Sequence, residues 1–440
     1  MIKKNNDYPP STHGKALGLK PIDRFRERIL KVSLVFLPLY FFNPLSKQLY
    51  ISPLEYLMVV IFIIFLFSLS YRPKFYFFGH RSIWLFFLSG LLTTISLAAV
   101  LITNFNVGWI KAWGGRWIFR YILIFVVVAA LSINKKHLNM LIRIITYTNF
   151  IVAALAILLV IISKDISAFR KAFSFAPLSL KGFIQATIFF RPNVFARFIV
   201  ATFPFAFVWM RLRNSKFLTP IIIINAIGII STVSVMGTLT FFIELIILLF
   251  FQKKIAKKSF FICVAILIII PFLFIGLSWR FERKMSNLLE HGTGVRIVMY
   301  RSALEAIQDK PILGCGPGSA KYVINKSGEI TEVSEQIWGK SHELTLHNSI
   351  LSIAAEAGIP AAAFFLIGAI SLIISSWKKT KKATSSVLSS IYLAGFLSTL
   401  TFFMSGMVFS NLAENIGWYG VAITIFILKA PTEMLQDFYV

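Results

Sequence analysis

Cysteine and acid are what this chain has least of. Its 440 residues include two cysteines, Cys263 and Cys315. Two thiols exclude a disulfide framework and a cysteine-built metal site. The first lies in an apolar run and the second in a polar loop, so no bridge between them is expected. Asp and Glu number 18 against 45 Lys and Arg, a formal net charge of +27, and only 14% of residues are charged. Soluble domains carry roughly 25%, so the shortage of charge argues against a water-soluble protein. A basic excess suits nucleic acid when it gathers on a soluble face. Here it punctuates apolar runs such as Ser259 to Leu277, and no nucleic-acid partner is expected. No internal repeat or low-complexity linker stands out. No small-residue cleavage site follows the first apolar run, so the polar first ~28 residues read as a retained cytoplasmic tail.

What the chain does have is hydrophobic length: 57% of residues are apolar or aromatic. Twelve apolar stretches read as helices, at 30–46, 51–70, 82–103, 117–133, 138–163, 195–212, 217–232, 235–252, 259–278, 349–376, 385–409 and 415–429. This pattern predicts an all-α, polytopic membrane protein with about 12 transmembrane helices. Pro38, Pro204 and Pro271 fall inside spans, which membrane helices tolerate. The expected organisation is a basic cytoplasmic tail (1–29), helices one to nine (30–278), a long external loop with short helices (279–348), and helices ten to twelve with a short C-terminus (349–440). Every even-numbered loop is basic, for example Lys253, Lys254, Lys257 and Lys258, while loops seven and eleven carry no Lys or Arg. By the positive-inside rule both termini lie in the cytoplasm.

Three loops on the other face are more basic than that rule favours, and they hold the candidate functional residues. One ends in Phe189-Phe-Arg-Pro-Asn-Val-Phe-Ala-Arg-Phe. Arg191, ahead of Pro192, is biased away from helix, and Asn193 is a candidate N-cap. Arg197 follows about one turn inside. The pair reads either as snorkelling arginines at a helix start or as an anion site, since guanidinium offers paired donors to phosphate. The long loop supplies Arg296 and Arg301 in a candidate amphipathic helix, where a merely solvated face is the alternative. Gly314-Cys-Gly-Pro-Gly lacks the lysine and strand-to-helix setting of a phosphate loop and reads as a tight turn.

The loop ends in His347-Asn-Ser-Ile-Leu-Ser-Ile-Ala-Ala-Glu-Ala-Gly-Ile-Pro. His347 stands where the loop enters span ten. An imidazole there can accept a proton from a sugar hydroxyl, or be merely interfacial. Asn348 is a candidate cap. His342 is near, but no set of metal ligands accompanies it. Glu356, nine positions after His347, falls on the opposite side of a continuous helix and reads as a supporting residue, not a catalytic acid.

His347-Asn348, nine residues and then Gly358, at the end of a long external loop, resembles the signature of the O-antigen ligase family. Pro192-Asn193 with Ala196 is similar to a second motif of that family, and Arg296 followed by Pro311-Ile-Leu-Gly-Cys-Gly316 to a third. The resemblance covers roughly residues 185–365. It departs where the family carries a Ser-Arg between spans seven and eight: Ser231-Thr-Val-Ser-Val-Met-Gly237 has no arginine, leaving Arg197 or Arg116 as substitutes. The resemblance implies an inverting glycosyltransferase of the bacterial inner membrane. It would move a polysaccharide from an undecaprenyl-pyrophosphate-linked donor to lipid A-core on the periplasmic face, amid membrane lipid, with neither metal nor nucleotide and no cofactor. His347 would be the base, Arg191 and Arg296 the first pyrophosphate-binding groups, and Arg197 and Arg301 the second. Asn193, Asn348, Glu356 and Gly358 would cap or support. A polymerase using the same donor is the sibling reading. A transporter or flippase is the third, disfavoured because no repeated half with paired broken helices is visible.

Overall fold

The computed structural model describes residues 80–103, 135–162, 192–213, 215–232, 234–251, 293–319, 346–408, 415–432 and 435. The expected spans at 30–46, 51–70, 117–133 and 259–278 lie outside them, as do Arg191, Arg116 and Cys263. Among the described residues all regular structure is helical. The elements are α1 (Arg81–Thr103), α2 (Lys135–Ile162), α3 (Pro192–Leu212), α4 (Leu218–Ser231), α5 (Val235–Phe251), α6 (Thr293–Asp309), α7 (Ser349–Ala357), α8 (Ile359–Lys382), α9 (Ser386–Val408) and α10 (Asn415–Lys429). Among the described residues four helical stretches are long and apolar enough to cross a membrane: Arg81–Ile102, Phe195–Leu212, Ile359–Lys382 and Ser386–Met407. At 1.5 Å per residue each reaches roughly 27–36 Å, against a hydrocarbon core of about 30 Å.

Helix α3 is the hub. It packs against α2, α4, α5, α9 and α10, and its side chains from Phe195 to Met210 are buried apart from Arg197, which is half-buried. Hydrophobic burial cannot drive helices together in lipid, so close approach of small residues and interhelical hydrogen bonds must do so. Both are present. A Cβ on Gly228 of α4 would lie 2.9 Å from the Ala153 carbonyl oxygen of α2, and one on Gly237 of α5 would lie 2.5 Å from the Ala196 Cβ of α3. Gly395 of α9 meets Thr424 of α10, and Gly420 of α10 meets Ser398 of α9.

Pro204 lies inside α3. It removes the donor that the Val200 carbonyl would otherwise receive. The carbonyls on either side of Val200 take side-chain donors from neighbouring helices. Asn149 Nδ2 of α2 donates to the Ile199 oxygen at 3.2 Å, and Ser398 Oγ of α9 donates to the Ala201 oxygen at 2.7 Å. The helix continues.

α1 and α8 run antiparallel, joined by polar contacts along their length. Arg81 Nε donates to Ser371 Oγ at 2.5 Å, and Ser89 Oγ donates to the Ala361 carbonyl at 2.9 Å. Farther along, Ser96 Oγ donates to the Glu356 carbonyl at 2.9 Å. Ser82, Ser89 and Ser96 are fully buried and spaced by seven, two helical turns, so they form one seam. At the Arg81 end, Lys379 lies 5.6 Å from the Tyr392 ring centroid and Lys381 4.9 Å from that of Trp377. His80 there is lowered to about 4, by burial first and then by Lys429 and Arg81. Cations thus gather at this end of the bundle. In α5, Glu244 is buried and bonded to Thr401 Oγ1 of α9.

Candidate functional site

The opposite end of the seam is built around a broken helix. The apolar run expected as one helix over 349–376 is two, α7 and α8, divided at Gly358. Gly358 has φ 90° and ψ 165°, a region essentially reserved for glycine. Pro360 follows in the first turn of α8, where proline is favoured because its missing N–H is not needed. In an unbroken helix Ile359 N–H would serve Ala355 and residue 360 would serve Glu356. Ile359 instead donates to the Pro311 oxygen at 2.8 Å, and Pro360 has no donor.

The orphaned carbonyls are taken by the turn that follows α6. Cys315 N–H donates to the Ala355 oxygen at 2.8 Å, and Gly316 N–H to the Glu356 oxygen at 2.8 Å. The glycine-rich segment is therefore a tight turn, as its composition suggested, and it works as a clasp. Gly314 sits at φ 66°, where a Cβ would lie 2.5 Å from the Glu356 carbonyl carbon. A Cβ on Gly358 would lie 1.9 Å from the Ile312 oxygen. Both glycines are required by backbone-to-backbone approach, at positions where a side chain would also be strained.

The clasp ties together the helices bearing the principal candidates. α6 carries Arg296 and Arg301. Its buried face is Met299, Ser302, Ala303, Ala306 and Ile307, and its exposed face includes Ile297, Arg301 and Leu304. Arg296 is half-buried and Arg301 exposed. Five positions separate them, about 140° around the helix once whole turns are removed. His347 stands one residue before the cap of α7. Asn348 is that cap: its Oδ1 accepts from Ile350 and Leu351 N–H, both at 3.0 Å. Asn348 Nδ2 donates to the Met407 carbonyl of α9 at 3.2 Å.

His347 is half-buried, and its pKa is lowered from the ordinary histidine value, by burial first, then by Arg296, then by Arg197. Low dielectric and neighbouring cations both disfavour imidazolium. The site is thus a neutral imidazole flanked by guanidinium groups from α6 and α3, beside the positive end of α7. It offers a proton acceptor next to fixed positive charge, which suits deprotonating a hydroxyl beside an anionic leaving group.

Of the expected residues, His347, Arg296 and Arg197 come together, while Arg301 is on the exposed side of α6. Asn348 is the cap it was expected to be. Asn193 is not: α3 begins at Pro192, so Asn193 is its second residue, because proline's fixed φ takes the first helical position. Glu356 is buried in the last turn of α7, where its backbone carbonyl is the shared acceptor. Gly358 is the break itself. The first turn of α5, just after the connection that carries no arginine, sits against the turn carrying Arg197: Gly237 meets Ala196, and Gly237 N–H reaches Ser234 Oγ at 3.4 Å. Sequence reading missed Ser96, whose buried hydroxyl reaches the clasp from α1. The seven-residue spacing of serines in an apolar helix was the available signal.

Residues 220–366 match the family described as O-Antigen ligase. A protein of Rickettsia felis, provisionally named a polysaccharide ligase, is 28% identical to this chain over 135 residues. That match covers 30% of this chain, and the chain spans 30% of the length of that relative.

Proposed function

We propose that this chain is an O-antigen ligase: a metal-independent, inverting glycosyltransferase of the bacterial inner membrane. It moves a polysaccharide from undecaprenyl pyrophosphate to lipid A-core at the periplasmic face. The observation that carries the reading is the placement of His347, at the start of α7, near Arg296 and Arg197, whose charges add to burial in lowering its pKa. The match to the O-antigen ligase family over 220–366, which includes α6, the clasp and α7, supports it.

In this reading His347 accepts the proton of the acceptor hydroxyl as that oxygen attacks the anomeric carbon of the donor. The bond from that carbon to the pyrophosphate oxygen breaks, and the electron pair leaves with undecaprenyl pyrophosphate. The anomeric centre inverts. The proton then passes from His347 to water. Arg296 and Arg197 stabilise the charge gathering on the leaving group, which is where fixed positive charge accelerates such a step. Arg191 is assigned the same task from the end of its loop, and Arg301 a peripheral one on the donor's approach. Arg197 takes the place of the arginine missing between α4 and α5. The basic end, with Arg81, Lys379 and Lys381, faces the cytoplasm, as do both termini, and the His347 end faces the periplasm.

The test is deletion of the gene in a host with an outer membrane, followed by complementation and electrophoresis of its lipopolysaccharide. Loss of all polymer from the core, with lipid-linked chains accumulating, is expected. His347→Ala, confirmed in the membrane by immunoblot, should fail to restore the polymer. A core bearing a single repeat unit would show a polymerase instead. Accumulation of the lipid-linked donor on the cytoplasmic side would show a flippase. Full restoration by His347→Ala would remove the proposed base.

A further inference from the structure

The carbonyl of Glu356 receives two donors from two different parts of the chain. One is Gly316 N–H at 2.8 Å, in the turn that follows the Arg296 helix. The other is Ser96 Oγ at 2.9 Å, in α1. The carbonyl belongs to the last turn of α7, whose first turn adjoins His347. This oxygen is free of its own helix because Pro360 has no N–H. Ser96 is fully buried, and Glu356 and Gly316 are buried, so water is not at hand to replace either donor. Two turns back along α1, across the break, Ser89 makes the corresponding bond to Ala361 of α8. The α1 seam therefore grips both halves of the broken helix, and only its Ser96 end grips the half that bears His347.

We propose that Ser96 is a positioning residue for the site: by donating to the Glu356 carbonyl it fixes the joint between the helix that carries His347 and the segment that carries Arg296. α1 lies wholly outside residues 220–366, so the assignment adds a residue from beyond the recognisable segment to the machinery. It rests on the reading of His347 and Arg296 as the reacting pair, but its structural core can be measured without any substrate.

The experiment uses the full chain in detergent, treated with diethyl pyrocarbonate over a range of pH. The reagent modifies neutral imidazole, and mass spectrometry of the His347 peptide reports the pH of half-maximal modification. Arg296 on α6 and Arg197 on α3 are the charged groups shifting His347. α9, packed against α7, contributes no Asp, Glu, Lys or Arg. On α1 the basic side chain is Arg81, at the far end of the seam, and on α8 the lysines are Lys378, Lys379, Lys381 and Lys382, at its far end. Loosening the joint separates His347 from Arg296 and admits water, so Ser96→Ala should move half-modification to higher pH. His80, at the other end of α1, serves as internal reference and should not move. Ser96→Thr, which keeps the hydroxyl, should restore the wild-type value, and Ser89→Ala should leave it in place. In the transfer assay Ser96→Ala should lose about threefold to tenfold in rate, the scale of one hydrogen bond. If the alanine variant does not fold, Ser96→Cys, of similar size with a weak donor, carries the same comparison.

An unchanged His347 profile in Ser96→Ala overturns the proposal. So does an equal shift in Ser89→Ala, which would make the seam general packing. A shifted profile together with an active His347→Ala enzyme would leave Ser96 in its positioning role and remove the base assignment instead.

Discussion

Pro204 and Pro360 each interrupt a run of apolar residues, and each removes one donor from a helical ladder. At Pro204 the helix goes on. Asn149 and Ser398 serve the carbonyls on either side of the one left short, and α3 stays the buried centre of the bundle. At Pro360 the helix stops. Gly358 adopts a conformation essentially closed to other residues, and the freed carbonyls take donors from the α6 clasp and from α1. Proline alone therefore does not break a helix here. A break needs a glycine-only conformation and a second segment able to satisfy the backbone that the break exposes. In the first case the compensating groups only hold the helix in its packing. In the second, two of the three donors come from the segment bearing Arg296, so the repair of the backbone also assembles the site.

The sharpest way to break that contrast is at Gly358. Gly358→Ala adds about 1–3 kcal/mol of backbone strain and places a Cβ against the Ile312 oxygen. It should abolish transfer and lower the melting temperature of the purified protein. Retained activity would mean that the clasp is dispensable. Asn348→Ala is expected to come next. It removes a helix cap, about 1 kcal/mol, and the tie to Met407, so transfer should fall about tenfold with a smaller change in thermal stability. The smallest effect on activity should come from Asn149→Ala. Losing that bond costs about 1 kcal/mol, visible as a lower melting temperature, while transfer per folded molecule stays near wild type. A transfer defect in Asn149→Ala without a fall in stability would erase the distinction between the two prolines.

Much of the bundle was legible in the amino-acid order. The expected spans at 82–103, 138–163, 195–212, 217–232, 235–252, 385–409 and 415–429 correspond to α1 to α5, α9 and α10, because apolar runs in a chain this poor in charge leave few alternatives to helix. Asn348 was legible as a cap because its neighbours define the helix start. The division at Gly358 was not: Gly-Ile-Pro after an apolar run also suits a mild kink, and only the arrival of Cys315 and Gly316 some forty positions upstream decides for a break. The separation of Arg296 from Arg301 needed the packed face of α6, which helical spacing alone does not orient. For Ser96 the serine spacing marked a polar seam on α1, but its acceptor is a backbone carbonyl, which a sequence does not name.

The doubly bonded carbonyl of Glu356 also bears on what counts as a unit. Residues 220–366 contain His347, Arg296 and the clasp, but Ser96, Arg197 and the Met407 carbonyl that anchors Asn348 all lie outside that span. A fragment cut to the recognisable segment would retain the residues that carry the resemblance while losing donors and a cation that act on the His347 site. Grafting that segment into another chain would transplant the signature without its foundations, unless the host offered a hydroxyl at the depth of Ser96 and a guanidinium at that of Arg197.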